Sequence, residues 1–101
     1  MYKFGDVILA NVQFTDTFEI KKRPALVLFE EQGNIVLTGI TSNLKMKGIS
    51  ITKRDGAIKD SVIKLNYIFT ISEKMIERFL FRVSGDKKKA IKLELMRKLV
   101  D

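Results

Sequence analysis

The chain has 101 residues with no cysteine and no histidine, which excludes disulfide bonds, thiolate or imidazole metal ligands, and Ser-His or Cys-His catalytic pairs. Its 46% hydrophobic and 31% charged residues are typical of an ordinary globular protein, and its length predicts a single domain spanning residues 1–101. Nineteen lysines and arginines against twelve acidic residues give a net charge of +7, which favours a polyanionic partner such as nucleic acid.

The hydropathy pattern favours a protein that works in the cytoplasm without a membrane partner. No apolar run reaches the ~18–20 residues that a membrane-spanning helix needs. The N-terminal segment MYKFGDVILA is too short for a signal peptide. We therefore expect a cytoplasmic protein.

Short apolar runs separated by turn residues predict β-strands in the first half of the chain. The first strand is predicted at 7–12, and the polar residues 13–22 predict a loop after it. Pro24 is predicted to begin the next strand, since proline is tolerated at the first position. Residues 25–40 then predict a hairpin with its turn at 30–34.

The second half continues in the same way. Residues 48–52 alternate apolar and polar side chains, as in a half-buried strand, and 61–65 and 67–71 predict two more strands. A single helical turn is predicted at 73–76. Residues 78–83 fit either a helix or a strand, and the aromatic and β-branched residues at every second position favour a strand.

One longer helix is predicted at the C-terminal end. Asp86 is a candidate N-cap, and Ile91, Leu95 and Leu99 recur every four residues, which predicts the buried face. Lysines 87–89 lie at the positive end of this helix, which indicates that they are solvated or serve another purpose.

Six or seven short antiparallel strands with one terminal helix predict a mainly β protein, either a small barrel or a strongly bent sheet. Small barrels often bind nucleic acids or peptides. A fold alone, however, does not select a function.

Four short motifs follow one another at characteristic separations. They are Gly5-Asp6-Val7, the KRPALVL stretch at 22–28, the GITSN stretch at 39–43, and the KDSVI stretch at 59–63 that leads to IFTI at 68–71. In this order they resemble the PemK/MazF-like toxins of type II toxin–antitoxin systems, from residue 5 to near the C-terminus.

The resemblance implies an SH3-like barrel of antiparallel strands with a C-terminal helix, forming a homodimer. It also implies a sequence-specific endoribonuclease, or mRNA interferase, that cleaves single-stranded RNA without a metal ion or other cofactor. An acidic antitoxin protein would inhibit it. Metal-independent cleavage uses the RNA's own 2′-hydroxyl and leaves a 2′,3′-cyclic phosphate and a 5′-hydroxyl.

Three residues of this sequence match the positions that are catalytic in the family. Arg23 is the arginine of the Arg-Pro motif, Thr41 is the threonine at the end of the following hairpin, and Thr17 is a hydroxyl residue six positions before the arginine. A guanidinium matches phosphate oxygens and keeps its charge, so Arg23 is expected to stabilise the phosphorane and to donate a proton. The two threonines would orient phosphate or ribose oxygens. The general base stays open.

Basic residues around these positions predict an RNA-binding groove, although a charge run is often only a solvated surface. Phe14, Phe18 and Tyr67 are candidates for stacking on bases. The residues predicted to contact RNA are Lys21, Lys22, Ser42, Asn43, Lys45, Lys47, Lys53 and Arg54.

The sequence departs from the family in one loop. Many relatives are rich in glycine there, whereas residues 18–22 (FEIKK) contain none. This departure favours an alternative, a basic SH3-like module that binds nucleic acid or protein without cutting. A further alternative is a toxin of the same barrel that acts on a topoisomerase.

Overall fold

The computed structural model describes residues 1–13 and 20–100, which form six antiparallel strands and one α-helix. The strands lie in the order β4-β5-β3-β2-β1-β6 in a single curled sheet. The mainly β prediction with a C-terminal helix is confirmed. The elements are β1 Asp6–Gln13, β2 Ile20–Glu31, β3 Asn34–Thr41, β4 Ile49–Ile51, β5 Ser61–Ser72, β6 Ile76–Arg82 and α1 Gly85–Leu99, with 3-10 turns at Lys53–Asp55 and Glu73–Met75.

The hairpin of β2 and β3 turns through two residues. Gln32 and Gly33 have φ angles of 52° and 79°, so both adopt the left-handed conformation of the tight turns that suit twisted hairpins. The turn is therefore shorter than the predicted one at 30–34.

Pro24 does not begin β2 as predicted, because the strand already starts at Ile20. It lies one residue beyond the last β2–β3 pair, Ala25 with Gly39, and is opposite Leu9 of β1. At this position β2 has one neighbouring strand in its ladder instead of two. The missing N–H of proline is tolerated there, as it is on an edge strand.

β5 is one strand of 12 residues rather than the two predicted at 61–65 and 67–71. Its pairing with β3 shifts between Thr38, which faces Ile68, and Gly39, which faces Lys64. The buried hydroxyl of Thr38 donates a hydrogen bond to the carbonyl of Lys64 at 2.5 Å. Thr38 thereby holds the irregular segment in the sheet.

Both faces of the sheet carry buried side chains. Val7 belongs to a cluster with Leu26, Ile63 and Ile91 of α1, whereas the next residue, Ile8, belongs to a second cluster. The first cluster is completed by Ile51, Leu65 and Val83, and the second consists of Ile8, Ala10, Val12, Ala25, Val27, Ile35 and Leu37. Burial on both faces explains why several strands are almost continuously apolar.

The helix begins two residues earlier than predicted. Ser84 is the N-cap and accepts a hydrogen bond from the N–H of Lys87, so the prediction of Asp86 as the cap is wrong. Ile91 is fully buried, but Leu99 is 84% exposed. The helix thus packs on the sheet through its middle, and the predicted apolar stripe does not extend to its end.

The lysines at the start of α1 have structural contacts. The ammonium of Lys87 donates to the carbonyl of Ser50 at 2.8 Å and lies 3.8 Å from a carboxylate oxygen of Asp55. The aliphatic chain of Lys88 covers Gly5, where an added Cβ would lie only 2.6 Å from its Cε. These contacts attach the helix to β4 and to the turn before β1.

Asp6 links the start of β1 to the end of β6. Its buried carboxylate accepts hydrogen bonds from the N–H of Lys3 at 2.9 Å and from Nε of Arg82 at 2.6 Å. The bond and charge of Asp6 raise the pKa of the Arg82 guanidinium. This arrangement fastens β1 to β6.

Candidate functional site

Arg23 and Thr41 lie at the same end of the β2–β3 hairpin. The ladder ends at the pair Ala25–Gly39, and each of the two residues is two positions beyond that pair in its own strand. Side chains alternate along a strand, so both project from the face that carries Ala25 and Gly39. Both strands leave the ladder at the same pair, which brings a guanidinium and a hydroxyl to the same end of this face.

The Thr41 hydroxyl has a defined orientation. Its oxygen accepts a hydrogen bond from the N–H of Asn43 at 3.1 Å, and the side-chain oxygen of Asn43 accepts one from the N–H of Lys45 at 3.1 Å. These bonds order the chain as it leaves β3. Because Asn43 uses an oxygen lone pair, the hydroxyl hydrogen of Thr41 points elsewhere and can be donated to an incoming oxygen.

Lys64 and Tyr67 belong to the same face. Lys64 is directly opposite Gly39, and the Tyr67 ring packs over Gly39, where an added Cβ would lie 2.7 Å from Cδ2 of the ring. The ammonium of Lys64 lies 5.7 Å from the centre of the Tyr67 ring. The sequence pattern identified Tyr67 but not Lys64, because the position of Lys64 opposite Gly39 depends on the irregular pairing of β5.

Three of the residues named from the sequence lie outside the described part of the chain. These are the candidate catalytic residue Thr17 and the candidate aromatics Phe14 and Phe18. Lys21 and Lys22, predicted to lie in a loop, are part of β2 and exposed. They lie on opposite faces, Lys21 with Arg23 and Lys22 in an exposed ion pair with Glu77 at 3.2 Å. Lys22 therefore does not share the surface of Arg23.

The remaining basic candidates lie toward the β4 side of the sheet. Thr41 is opposite Val62, which is opposite Ser50, so the C-terminal end of β4 is at the same end of the sheet as Arg23. The exposed 3-10 turn with Lys53 and Arg54 follows that end. Ser42 and Lys45 are exposed in the segment after β3. Lys47 lines a cavity of about 420 Å³ together with Glu94 and Lys98 of α1.

A second cavity, of about 430 Å³, lies on the opposite face. Pro24 and Ile40, the neighbours of Arg23 and Thr41 in sequence, line its apolar wall. Lys59 and Arg78 are its two cationic residues, and no acidic residue lines it among those described. This cavity is separate from the candidate catalytic face, because alternation turns Arg23 and Thr41 away from it.

The described residues contain neither a metal-binding cluster of side chains nor a helix suited to cross a membrane. No group of three or more acidic, histidine or cysteine residues is arranged to hold a metal ion in residues 1–13 and 20–100. Within the same ranges, no helix has the length and apolar character of a membrane span.

Solved structures of toxins share this fold. The Mycobacterium tuberculosis toxin MazF-mt6 is 18% identical and superposes with a TM-score of 0.77, covering 93% of this chain and 95% of that one. The MazE-MazF structure from Deinococcus radiodurans gives 19% identity, a TM-score of 0.76, and coverages of 97% and 95%. An endoribonuclease in complex with its cognate antitoxin from a mycobacterial species is 14% identical, with a TM-score of 0.75, covering 97% of this chain and 92% of that one.

The sequence comparisons give one positive result. No match is found among curated protein sequences. The family profile of the PemK-like, MazF-like toxins of type II toxin–antitoxin systems matches residues 3–99, nearly the whole chain. The matched range includes the motifs at 22–28 and 39–43, and the chain belongs to the PemK-like, MazF-like toxin family.

Proposed function

We propose that this protein is a sequence-specific endoribonuclease toxin that cuts single-stranded RNA, typically mRNA, without a metal ion. The observation that carries the proposal is the position of Arg23 and Thr41 at one end of one hairpin face. Membership of the toxin family supports it, as does the similarity of fold to a mycobacterial protein described as an endoribonuclease.

The proposed reaction is an internal transfer of the phosphodiester. The 2′-oxygen attacks the adjacent phosphorus, the bond to the 5′-oxygen breaks, and the products are a 2′,3′-cyclic phosphate and a 5′-hydroxyl. One proton passes from the 2′-hydroxyl to a general base and from there to solvent water, and one is added to the departing 5′-oxygen. Charge builds on the nonbridging oxygens in between, and a donor placed at such a charge contributes ~3–4 kcal/mol.

Each residue has a role that its chemistry allows. Arg23 stabilises the developing charge and donates the proton to the leaving oxygen, because a guanidinium stays charged and carries N–H donors but no acceptor. Thr41 donates its hydroxyl hydrogen to a nonbridging oxygen and fixes the in-line geometry. We assign the same orienting role to Thr17. Contacts to neighbouring nucleotides are assigned to Ser42 and Asn43 and to the basic residues predicted above, except Lys22, which lies on the opposite face.

The proposed regulation is by a cognate antitoxin. Solved structures of similar toxins include a MazE-MazF assembly and an endoribonuclease bound to its antitoxin. For a chain of charge +7, the matching partner is an acidic, partly disordered segment that folds on binding. We propose that this segment competes with RNA for a homodimer of the toxin in the cytoplasm. Simultaneous tight binding of both ligands would contradict this arrangement.

The test is cleavage of a long single-stranded RNA in EDTA, with product ends mapped. The wild type should cut at recurrent short sequences and leave cyclic-phosphate ends. Arg23→Ala should lower the rate by about 10²–10³-fold, the loss expected for one charge-stabilising donor. Arg97→Ala is the matched control, because Arg97 is exposed on α1 and pairs only with Glu94 within the described chain. Its rate should equal that of the wild type.

Two results would contradict the proposal. Cutting that survives Arg23→Ala would mean a contaminating nuclease or a different site. Salt-sensitive RNA binding without cutting would favour the binding module, which the glycine-free stretch at 18–22 supports. Inhibition of a DNA topoisomerase by the pure protein, without RNA cleavage, would favour the toxin with a protein target.

A further inference from the structure

We propose that Lys64, held in place by Tyr67 and Thr38, is a phosphate-binding residue that contacts the RNA next to the phosphate bound by Arg23 and Thr41. This inference rests on the proposed function, since it assigns a further subsite for the same RNA. β3 lies between Lys64 on β5 and Arg23 on β2. Lys64 is level with Ala25 of β2, which is two residues from Arg23 along that strand. Strand spacing and rise put the Cα atoms of Lys64 and Arg23 on the order of 12 Å apart, so two long cationic side chains can reach neighbouring phosphates of one strand.

The irregular pairing of β5 creates this arrangement. In a regular strand, residues three apart project from opposite faces, so Lys64 and Tyr67 would be separated by the sheet. Here Thr38 faces Ile68 and the next residue, Gly39, faces Lys64, so residues 65–67 are accommodated between two adjacent positions of β3. Bulges of this kind re-aim side chains and are frequent beside active sites. The bulge brings the lysine ammonium over the tyrosine ring.

Two neighbours hold the bulge in this form. The buried Thr38 hydroxyl donates to the Lys64 carbonyl, which fixes the backbone where the register changes. Gly39 provides the room for the Tyr67 ring, because any larger residue would overlap it. The ring is further supported by Phe69, whose centroid is 5.0 Å away. These residues of the sheet therefore fix the position of Lys64.

The charge of Lys64 is available to an anion. Among the described residues no carboxylate forms an ion pair with it, and its ammonium contacts the face of the Tyr67 ring at 5.7 Å. An aromatic face orients a cation without neutralising it. A phosphate that approaches the face of Arg23 and Thr41 thus meets a second cation whose direction is already restricted.

The experiment measures RNA binding as a function of salt, using a single-stranded oligonucleotide with 2′-O-methyl groups so that it cannot be cut. Each phosphate contact contributes about 0.7 to the slope of log K against log salt for single strands. Lys64→Gln should lower the slope by about 0.7 and weaken binding about fourfold near 0.15 M salt. Lys64→Arg should keep the wild-type slope.

The matched control is Lys92→Gln. Lys92 also places its ammonium over a ring, 5.5 Å from the centre of Phe4, but it lies on α1. Its removal should leave the slope unchanged. Thr38→Val should lower the slope as much as Lys64→Gln does. Thr38→Ser keeps the hydroxyl and should therefore retain the wild-type slope. Thermal unfolding of each variant distinguishes loss of position from loss of fold. Lys64→Gln, which changes only a half-buried side chain, decides the matter if Thr38→Val does not fold.

The outcomes separate this inference from the proposed function. An unchanged slope in Lys64→Gln, with RNA still cut by the wild type, overturns the subsite and leaves the nuclease intact. A reduced slope in a protein that binds RNA but never cuts it supports the subsite and overturns the nuclease. Failure of the wild type to bind RNA at all overturns both.

Discussion

Gly39→Ala should be disruptive although alanine adds only one methyl group. The new Cβ would lie 2.7 Å from Cδ2 of Tyr67, whereas carbon atoms prefer separations of about 3.5–4.0 Å. Because β3 is paired with β2 on one side and β5 on the other, its backbone cannot move away. The ring must retreat by about 1 Å, and overpacking of this kind costs about 1–3 kcal/mol.

Urea denaturation tests this value. Gly39→Ala should lower the free energy of unfolding by about 1–3 kcal/mol. The matched control is Gly85→Ala at the start of α1, where an added Cβ meets no atom within 4 Å, and it should change stability by less than about 0.5 kcal/mol. In a Tyr67→Ala background the ring is gone, so Gly39→Ala should cost almost nothing.

The double-mutant cycle decides whether the reasoning is correct. If the ring is the obstacle, the two single changes are non-additive, and the coupling energy equals the cost of Gly39→Ala. Additive effects would refute the argument and place the cost in the backbone of β3. Because Tyr67 orients Lys64, Gly39→Ala should also lower RNA affinity, while Gly85→Ala leaves it unchanged.

Two further predictions concern α1 and use the same unfolding measurement. Ile91→Ala should cost about 3–4 kcal/mol, since the side chain is fully buried, while Leu99→Ala, at 84% exposure, should cost less than about 0.5 kcal/mol; equal effects would contradict the observed packing. Ser84→Ala removes the helix N-cap and should cost about 1 kcal/mol, whereas Asp86→Ala should cost clearly less, and the reverse order would restore Asp86 as the cap.

The elements that sequence predicts well are those whose pattern is local. Phe79, Phe81 and Val83 alternate, and β6 runs through all but the last of them. The turn before β3 follows from the preference of glycine for left-handed backbone at position 33. The predicted gap at residue 66 is wrong because β5 is held together there by a distant residue, Thr38.

The same distinction applies to the candidate site. Arg23 and Thr41 are recognisable by their motifs, but the two-residue turn alone would pair Arg23 with Ser42. The register shift between Val27 and Phe29 moves the pairing by one residue and puts Arg23 and Thr41 on one face, and the motifs do not predict that shift. Lys22 and Arg23 are neighbours on β2, so their side chains point to opposite faces. The predicted loop at 13–22 hid this alternation. Lys64 is recognisable only once the bulge is known, because a regular strand would place Tyr67 on the other face.

The ion pair between Asp6 and Arg82 has a consequence for how the protein is made. It joins residues 76 positions apart, and β1, which lies between β2 and β6, gains its second neighbour only when β6 has been synthesised. Folds dominated by such distant pairings form slowly, within milliseconds to seconds, since a long loop must close before the contacts stabilise it. A nascent chain that has not yet released β6 from the ribosome therefore lacks a complete sheet. The candidate catalytic face should therefore be complete only after most of the chain has emerged.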